Sequence, residues 1–567
     1  AAPRSRSNAP MQALRWLERN LGAWGDEAAA RKLDHVHALA RSRFRSARSL
    51  YRFHEVLCFL RAYPDSPELL REVVGVLAGF AERTDLKRFR DGLADSGIAG
   101  TETYYRYYWP TAEWLVQRCP EALTVDWEEW EESHQDRLGT FLSFLMPFTE
   151  TLSVDELGYG ARDLIEVLRS ENETDAAFLV RRFASVPMGP VAREKVYEDL
   201  DPPLRLAPSP GTPSRSLGVF PRKRTLYRGG PLRAERPTLP DAVLESPRAV
   251  HPVSVREGRK LVDLARGAMV NRQRDLDIFV HADPRDVRMV DCGGGLEFAC
   301  LGAVPERRLM VDCIYGFLTL MNGVPMGYVL SSALFGSVGV AYNVFETFRG
   351  GESGYIYGRV LAMLHHLFQA DAFYVDPYQL GHENEEGQKS GAWWFYYKLG
   401  FRPEDPQVKR LLAAELARMR RRPKHRSSLA TLNRLAASNM YYYLGQPRDD
   451  MLGKIELGEM GYRVSLDLAA RFGADRERGL KECAVDLAEL TGLAASTRLT
   501  PAEREAWVRW SPLVLSIPGI RDWPAEDLAG LIPVIRAKGG RRESDFVYAF
   551  DAHGRLRRAL ATMGCPG

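Results

Sequence analysis

Six residues in the middle of the chain, Arg349-Gly350-Gly351-Glu352-Ser353-Gly354, have the composition of a phosphate-binding turn. Three glycines let backbone N–H groups come close to a ligand. Residues 338–346 before the turn are β-branched and aromatic, as strands are. After it, Ile356, Val360, Met363, Leu364 and Leu367 recur with the spacing of one apolar helix face. Strand, glycine-rich turn and helix together aim backbone amides and a helix N-terminus at an anion. Glu346, at the end of the strand, is a candidate general base acting directly or through water.

Downstream, residues 372–376 are short and apolar and stop at Pro377, which predicts a second strand. Residues 390–399 predict a helix that Gly400 ends. That helix carries Tyr396-Tyr397-Lys398-Leu399-Gly400-Phe401, with Ala392 one turn earlier. With these residues the region resembles the core of the GCN5-related N-acetyltransferase (GNAT) superfamily. Its members often carry a Tyr-x-x-Leu-Gly-Phe tail and an Arg/Gln-x-x-Gly-x-Gly/Ala loop for the pyrophosphate of acyl-coenzyme A. Arg349 and Gly354 match the loop, and Glu352 stands where glycine is usual. The resemblance implies that residues 348–355 (Phe348, Arg349, Gly350, Gly351, Glu352, Ser353, Gly354 and Tyr355) hold acyl-coenzyme A, acetyl-coenzyme A foremost, as co-substrate. It also implies that Tyr396 protonates the leaving thiolate. Glu352 is expected to oppose the pyrophosphate charge, or to turn away and pair with a base such as Arg359.

The elements needed to position these groups can be traced upstream. Residues 255–272 form an amphipathic helix on Leu261, Val262, Leu264, Ala265 and Met269. Residues 287–304 are strand-like around Cys292-Gly293-Gly294-Gly295, a glycine run with no following helix and hence a turn. Residues 309–320 and 325–335 are apolar runs joined across Asn322-Gly323, a strong hairpin signal. Helix, strand, hairpin, strand, glycine loop, helix, strand, helix is the order the resemblance implies. The expected architecture is mixed α/β, with a GNAT-like acyltransferase domain over residues 247–406. A helical domain of unknown role (1–186), a Pro/Arg-rich linker or arm (187–246) and a mostly helical C-terminal domain (407–567) surround it.

A chain of 567 residues is too long for one ordinary core, and 45% hydrophobic with 27% charged residues is a globular composition. A net charge of +3 excludes polyanion binding by bulk charge, so local patches must carry any such role. No run approaches the roughly 18 apolar residues of a membrane span, and AAPRSRSNAP has no signal-peptide core, so a cytoplasmic protein with no membrane partner is expected. Seven scattered cysteines without Cys-x-x-Cys spacing suit reduced thiols and no zinc site. His365 and His366 are adjacent on a helix and face different ways, which suits packing better than a metal.

In the flanks, Ser66-Pro67-Glu68 and Thr500-Pro501-Ala502-Glu503 are helix starts. Residues 428–444 are expected to be helical and residues 546–550 to form a short strand. Tyr104, Tyr105, Tyr107, Tyr108 and Trp109, followed by Trp114, Trp127 and Trp130, suit a core between helices better than a platform for bases. Basic residues concentrate over 41–52 and 418–426, as solvated faces or as an RNA-binding surface. The expected function is transfer of an acyl group from acyl-coenzyme A to an amine-bearing acceptor. Two alternatives remain: an aminoacyl-tRNA-dependent transferase on a similar fold, and a non-catalytic scaffold with a degenerate core.

Overall fold

The computed structural model describes residues 9–146 and 156–564. The chain is mixed α/β and divides into two compact units. The first comprises Ala1–Leu232, Arg259–His281 and Met321–Pro325; the second comprises Arg233–Gly258, Ala282–Leu320 and Met326–Gly567.

The first unit is mainly helical. Helices Ala9–Arg19, Asp26–Ala40, Ala47–Ala62 and Pro67–Ala78 enclose a core that includes Leu14, Leu17, Val36, Leu50, Phe53 and Val73. Ser66 caps its helix as expected, its hydroxyl accepting from the Leu69 amide at 3.2 Å. A second core gathers Tyr107, Trp109, Trp114, Trp130, Phe183 and Tyr197, while Arg106 pairs with Asp201. Four of the eight aromatics, Tyr107, Trp109, Trp114 and Trp130, are therefore buried, and Tyr104, Tyr105, Tyr108 and Trp127 are half-buried. Strands β1 (Thr103–Tyr105), β2 (Leu123–Val125) and β3 (Leu204–Leu206) form a small sheet in the order β1-β3-β2.

The stretch 187–246, expected to be an extended arm, is partly built into regular structure. Pro190–Leu200 is a helix, with Tyr197 fully buried, and β3 is the middle strand of the small sheet. Leu204 and Leu206 alternate with exposed Arg205, so three residues suffice for a half-buried strand. Residues 207–238 carry no regular element, and Leu239–Leu244 is a short helix.

The second unit is organised on one nine-stranded sheet. Its strands are β4 (Ala249–Pro252), β5 (Ala282–Asp291), β6 (Leu296–Ala303), β7 (Cys313–Met321), β8 (Val324–Leu334), β9 (Ser337–Val344), β10 (Ala372–Val375), β11 (Arg402–Pro403) and β12 (Met440–Tyr443). The spatial order is β11-β12-β10-β9-β8-β7-β6-β5-β4. The chain between Cys292 and Gly295 turns β5 into β6. Asn322 (φ 51°) and Gly323 (φ 78°) turn β7 into β8, the two left-handed residues that a tight hairpin needs. Helix Ser353–Phe368 crosses from β9 to a parallel β10. Helix Ala392–Leu399 follows and ends at Gly400, whose φ of 118° suits glycine.

Two expectations fail for readable reasons. Residues 428–444 are not one helix: Leu429–Leu435 is helical, and β12 pairs antiparallel with β10 and β11. The Tyr441-Tyr442-Tyr443 run, with high β-propensity, becomes strand once an edge is available. Residues 546–550 are not a strand but lie within helix Glu543–Ala552, where Phe546, Val547 and Phe550 are buried at helical spacing.

Buried polar groups join the C-terminal helices to the sheet. Lys538 Nζ donates to Glu543 at 2.5 Å and to the Asp312 carbonyl at 2.8 Å. Tyr315 donates its hydroxyl to Asp286 at 2.5 Å, and Arg308 donates to the Lys538 and Gly540 carbonyls. Charges this deeply buried are tolerated only because each has an opposite charge or dipole beside it.

Close contact between β9 and β10 depends on the absence of a side chain at Gly339. A Cβ there would lie 2.5 Å from Cζ of Tyr374, and one on Gly453 would lie 2.8 Å from the same ring. Gly339→Ala should therefore push Tyr374 and β10 aside, at a cost of about 1–3 kcal/mol. Thermal denaturation should show a clear fall in Tm; an unchanged Tm would mean that the ring has room to move.

Candidate functional site

β9 is bonded unequally on its two edges. On one side it pairs with β8 along its whole length, from Leu334↔Ser337 to Gly327↔Val344. On the other it pairs with β10 only through Ala372↔Ser337, Phe373↔Val338 and Tyr374↔Gly339. β10 ends at Val375 and is followed by Asp376-Pro377, where proline lacks the N–H needed to extend the ladder. The Asp376 side chain instead caps the next turn, accepting from the Gln379 amide at 3.1 Å. Beyond Val340, one edge of β9 is open.

Which peptide groups face that opening follows from strand alternation. The Phe345 amide donates to the Met326 carbonyl on the β8 side at 2.8 Å. Counting back by two, Asn343, Ala341 and Gly339 also face β8, so the even residues face the other edge; there the Val340 amide closes the ladder to Tyr374, and the peptide groups of Tyr342 and Val344 point into the gap. The Val344 carbonyl accepts from Arg349 Nε at 3.1 Å.

The glycine-rich turn closes the end of this gap. Gly350 has φ of 102°, a left-handed value that explains glycine at that position. Helix Ser353–Phe368 starts at Glu352, whose side chain makes no capping bond. The first intrahelical bond runs from the Ile356 amide to the Glu352 carbonyl. The amides of Ser353, Gly354 and Tyr355 therefore have no partner within the helix. The Glu352 carboxylate turns outward and accepts from the Arg233 amide at 2.9 Å. It does not pair with Arg359, whose partners are Glu245 at 2.9 Å and the Ser246 carbonyl at 3.2 Å.

A cavity of about 370 Å³ occupies this place. Of the residues singled out in the sequence, Arg349, Gly350, Gly351, Ser353, Gly354 and Tyr396 line it together. Glu346, Phe348, Glu352 and Tyr355 are not among its lining residues: Glu346 is exposed, Phe348 is buried, and Tyr355 stacks under the Arg233 guanidinium at 4.3 Å. Tyr396 is buried, with its ring 5.4 Å from Tyr357 and 5.8 Å from Phe401. Burial first, and the charge of Asp376 second, push its phenol well above the ordinary tyrosine pKa. The group is thus a proton donor that stays protonated at every physiological pH.

Four further lining residues carried no signal in the sequence: Tyr342, Asn343, Glu386 and Arg236. Glu386 forms an ion pair with Arg349. The Tyr342 hydroxyl and Asn343 Oδ1 are buried and have no hydrogen-bond partner. An unpaired buried polar atom costs free energy, and these two, on adjacent strand residues, are sealed from solvent on opposite faces of the sheet.

Other candidate sites are less developed. The histidine pair 365–366 lies at a helix C-terminus, with His365 Nδ1 2.8 Å from the Ala370 carbonyl. Among the described residues no group of three His, Cys, Asp or Glu side chains gathers as for a metal ion. None of their helices is long and apolar enough to cross a membrane. Arg41, Arg43, Arg45 and Arg48 are exposed, and Arg52 pairs with Glu18. In the other basic run, Arg418 and His425 both bind buried Glu415, at 2.7 and 3.0 Å.

No protein-family model, curated protein or solved structure matches the chain.

Tyr342→Phe tests whether this hydroxyl is truly unpaired. Removing an unpaired buried hydroxyl should leave the Tm of the free protein unchanged or slightly higher. A loss of stability exceeding about 1 kcal/mol would show that the hydroxyl is already satisfied within the protein.

Proposed function

We propose that the protein is an N-acyltransferase of the GNAT type, with acyl-coenzyme A as donor and an amine as acceptor. The observation that carries this reading is the open edge of β9 leading into the uncapped start of the Ser353–Phe368 helix, with Tyr396 on the wall of the same cavity. A donor with a pyrophosphate, an amide-bearing arm and a thioester has matching parts. Its pyrophosphate would take the amides of Ser353, Gly354 and Tyr355. Its arm would take the free peptide group of Tyr342 as the start of an added strand.

The chemistry then follows from what each group can do. A backbone N–H on the β9 edge stabilises the charge that develops on the thioester carbonyl oxygen. The amine nitrogen forms the new C–N bond, and the C–S bond breaks. The amine's proton leaves to water, and the exposed Glu346, in the short turn after β9, is its receiver through that water. The thiolate takes the phenolic proton of Tyr396, which solvent restores. The raised pKa of Tyr396 fits a donor role, since the proton must be present at rest.

Two measurements test the proposal. Saturating acetyl-coenzyme A should raise the Tm, because it binds only the folded chain. Stabilisation by tRNA with none by coenzyme A would move the reading to the aminoacyl-tRNA-dependent class. In an acetyl-transfer assay, Tyr396→Phe should lower kcat by about 10²-fold or more at nearly unchanged Tm. Activity that needs the protonated phenol is present below its pKa and lost above it. With that pKa raised beyond the ordinary value of about 10, the rate should show no alkaline fall due to Tyr396 below about pH 10. An unchanged kcat would reduce Tyr396 to a core residue.

A further inference from the structure

A segment more than a hundred residues before the glycine loop also reaches the cavity. A Cβ on Gly354 would stand 3.5 Å from Cγ of Arg236, and one on Gly358 would stand 3.0 Å from Cγ of Pro237. The segment therefore lies against the first turns of the Ser353–Phe368 helix. Three ties hold it there. Glu352 accepts from the Arg233 amide at 2.9 Å, and the Arg233 guanidinium stacks 4.3 Å over Tyr355. Further along, the short Leu239–Leu244 helix is anchored by buried Leu239 and Val243 and is followed by Glu245, which pairs with Arg359.

The charges around the cavity are unevenly satisfied. Arg349 is matched by Glu386, and the Glu352 carboxylate is occupied by a backbone amide outside the lining. Arg236 lines the cavity beside Gly354, and among the described residues no carboxylate pairs with it. Its backbone and Cγ pack beside Gly354, at the helix start whose Ser353, Gly354 and Tyr355 amides the helix leaves unpaired. An arginine with no carboxylate partner, on a segment packed beside free helix-start amides, can bind a phosphate group together with them.

We propose that Arg236 binds a phosphate group of the acyl-coenzyme A donor, and that Glu352 is the positioning residue that tethers its segment over the helix. This inference rests on the acyl-coenzyme A reading. It reverses the expectation drawn from the loop sequence: Glu352 supports donor binding through the segment it holds. The glycine usual at that position has no carboxylate with which to tether anything.

Calorimetric titration of the full chain with coenzyme A, at low and moderate salt, tests both roles. Arg236→Ala should raise Kd about tenfold or more and flatten its dependence on salt, as loss of one charged contact implies. Arg236→Lys should fall between, keeping the charge without the fork. Glu352→Gln retains an oxygen that accepts from the Arg233 amide and should stay within about twofold of the wild type. Glu352→Ala should weaken binding severalfold. Melting of each variant without coenzyme A confirms that it is folded. If the wild type binds coenzyme A and Arg236→Ala binds it with the same Kd and salt dependence, Arg236 is no contact and the inference falls while the acyltransferase reading stands. If Glu352→Ala binds as tightly as the wild type or tighter, the tether is overturned. A folded wild type that binds no coenzyme A overturns the reading and the inference with it.

Discussion

The candidate site depends on the unequal pairing of β9. Eight residue pairs join it to β8 and three join it to β10. A strand in the middle of a sheet ordinarily spends both edges on its neighbours. Here the divergence of β10 leaves peptide groups unspent, and an unspent peptide group in a cavity is binding capacity. The cause is local and covalent: Pro377 cannot donate to a ladder, and Asp376 starts a new turn instead. The tight passage of Gly339 and Gly453 beside the Tyr374 ring keeps the paired part of the two strands in register.

The charges around the gap are matched loosely enough to exchange. Arg349 and Glu386 are both partly exposed, and an ion pair of that kind contributes only about 0–1 kcal/mol. A ligand anion can therefore take Arg349 at small cost. The contrast with Lys538 and Glu543 is informative. That pair is almost fully buried, so separating it would leave a charge in a region of low polarity. The second unit thus has rigid buried pairs behind the sheet and an exchangeable pair at the mouth of the cavity.

Much of the sheet was legible because its signals are short-range. An Asn-Gly pair between two apolar runs specifies a hairpin, a proline stops a ladder, and Gly400 ends a helix at positive φ. The misreadings have the opposite origin. Tyr441 to Tyr443 become strand only because β10 and β11 offer edges on both sides. Phe546 and Phe550 have the composition of a strand and the spacing of a helix, and burial of one face decided for the spacing. Pro190–Leu200 and β3 sit in a stretch whose proline content suggests an open arm, yet Tyr197, Leu204 and Leu206 find a core to enter.

By itself, the sequence determined the glycine turn, the strand and helix on either side of it, and the position of Tyr396 in its helix. Each depends on backbone preferences acting over a few residues. Tertiary structure alone decided which polar groups share the cavity. Arg236 and Gly354 are 118 positions apart, and Arg349 and Glu386 are 37 apart. It also decided the direction of the Glu352 carboxylate, which turns to a backbone amide that lies 119 positions earlier in the chain. A side chain's charge is written in its residue type. What that charge faces is set by folding, because electrostatic partners are chosen by distance in space, and separation along the chain says nothing about it.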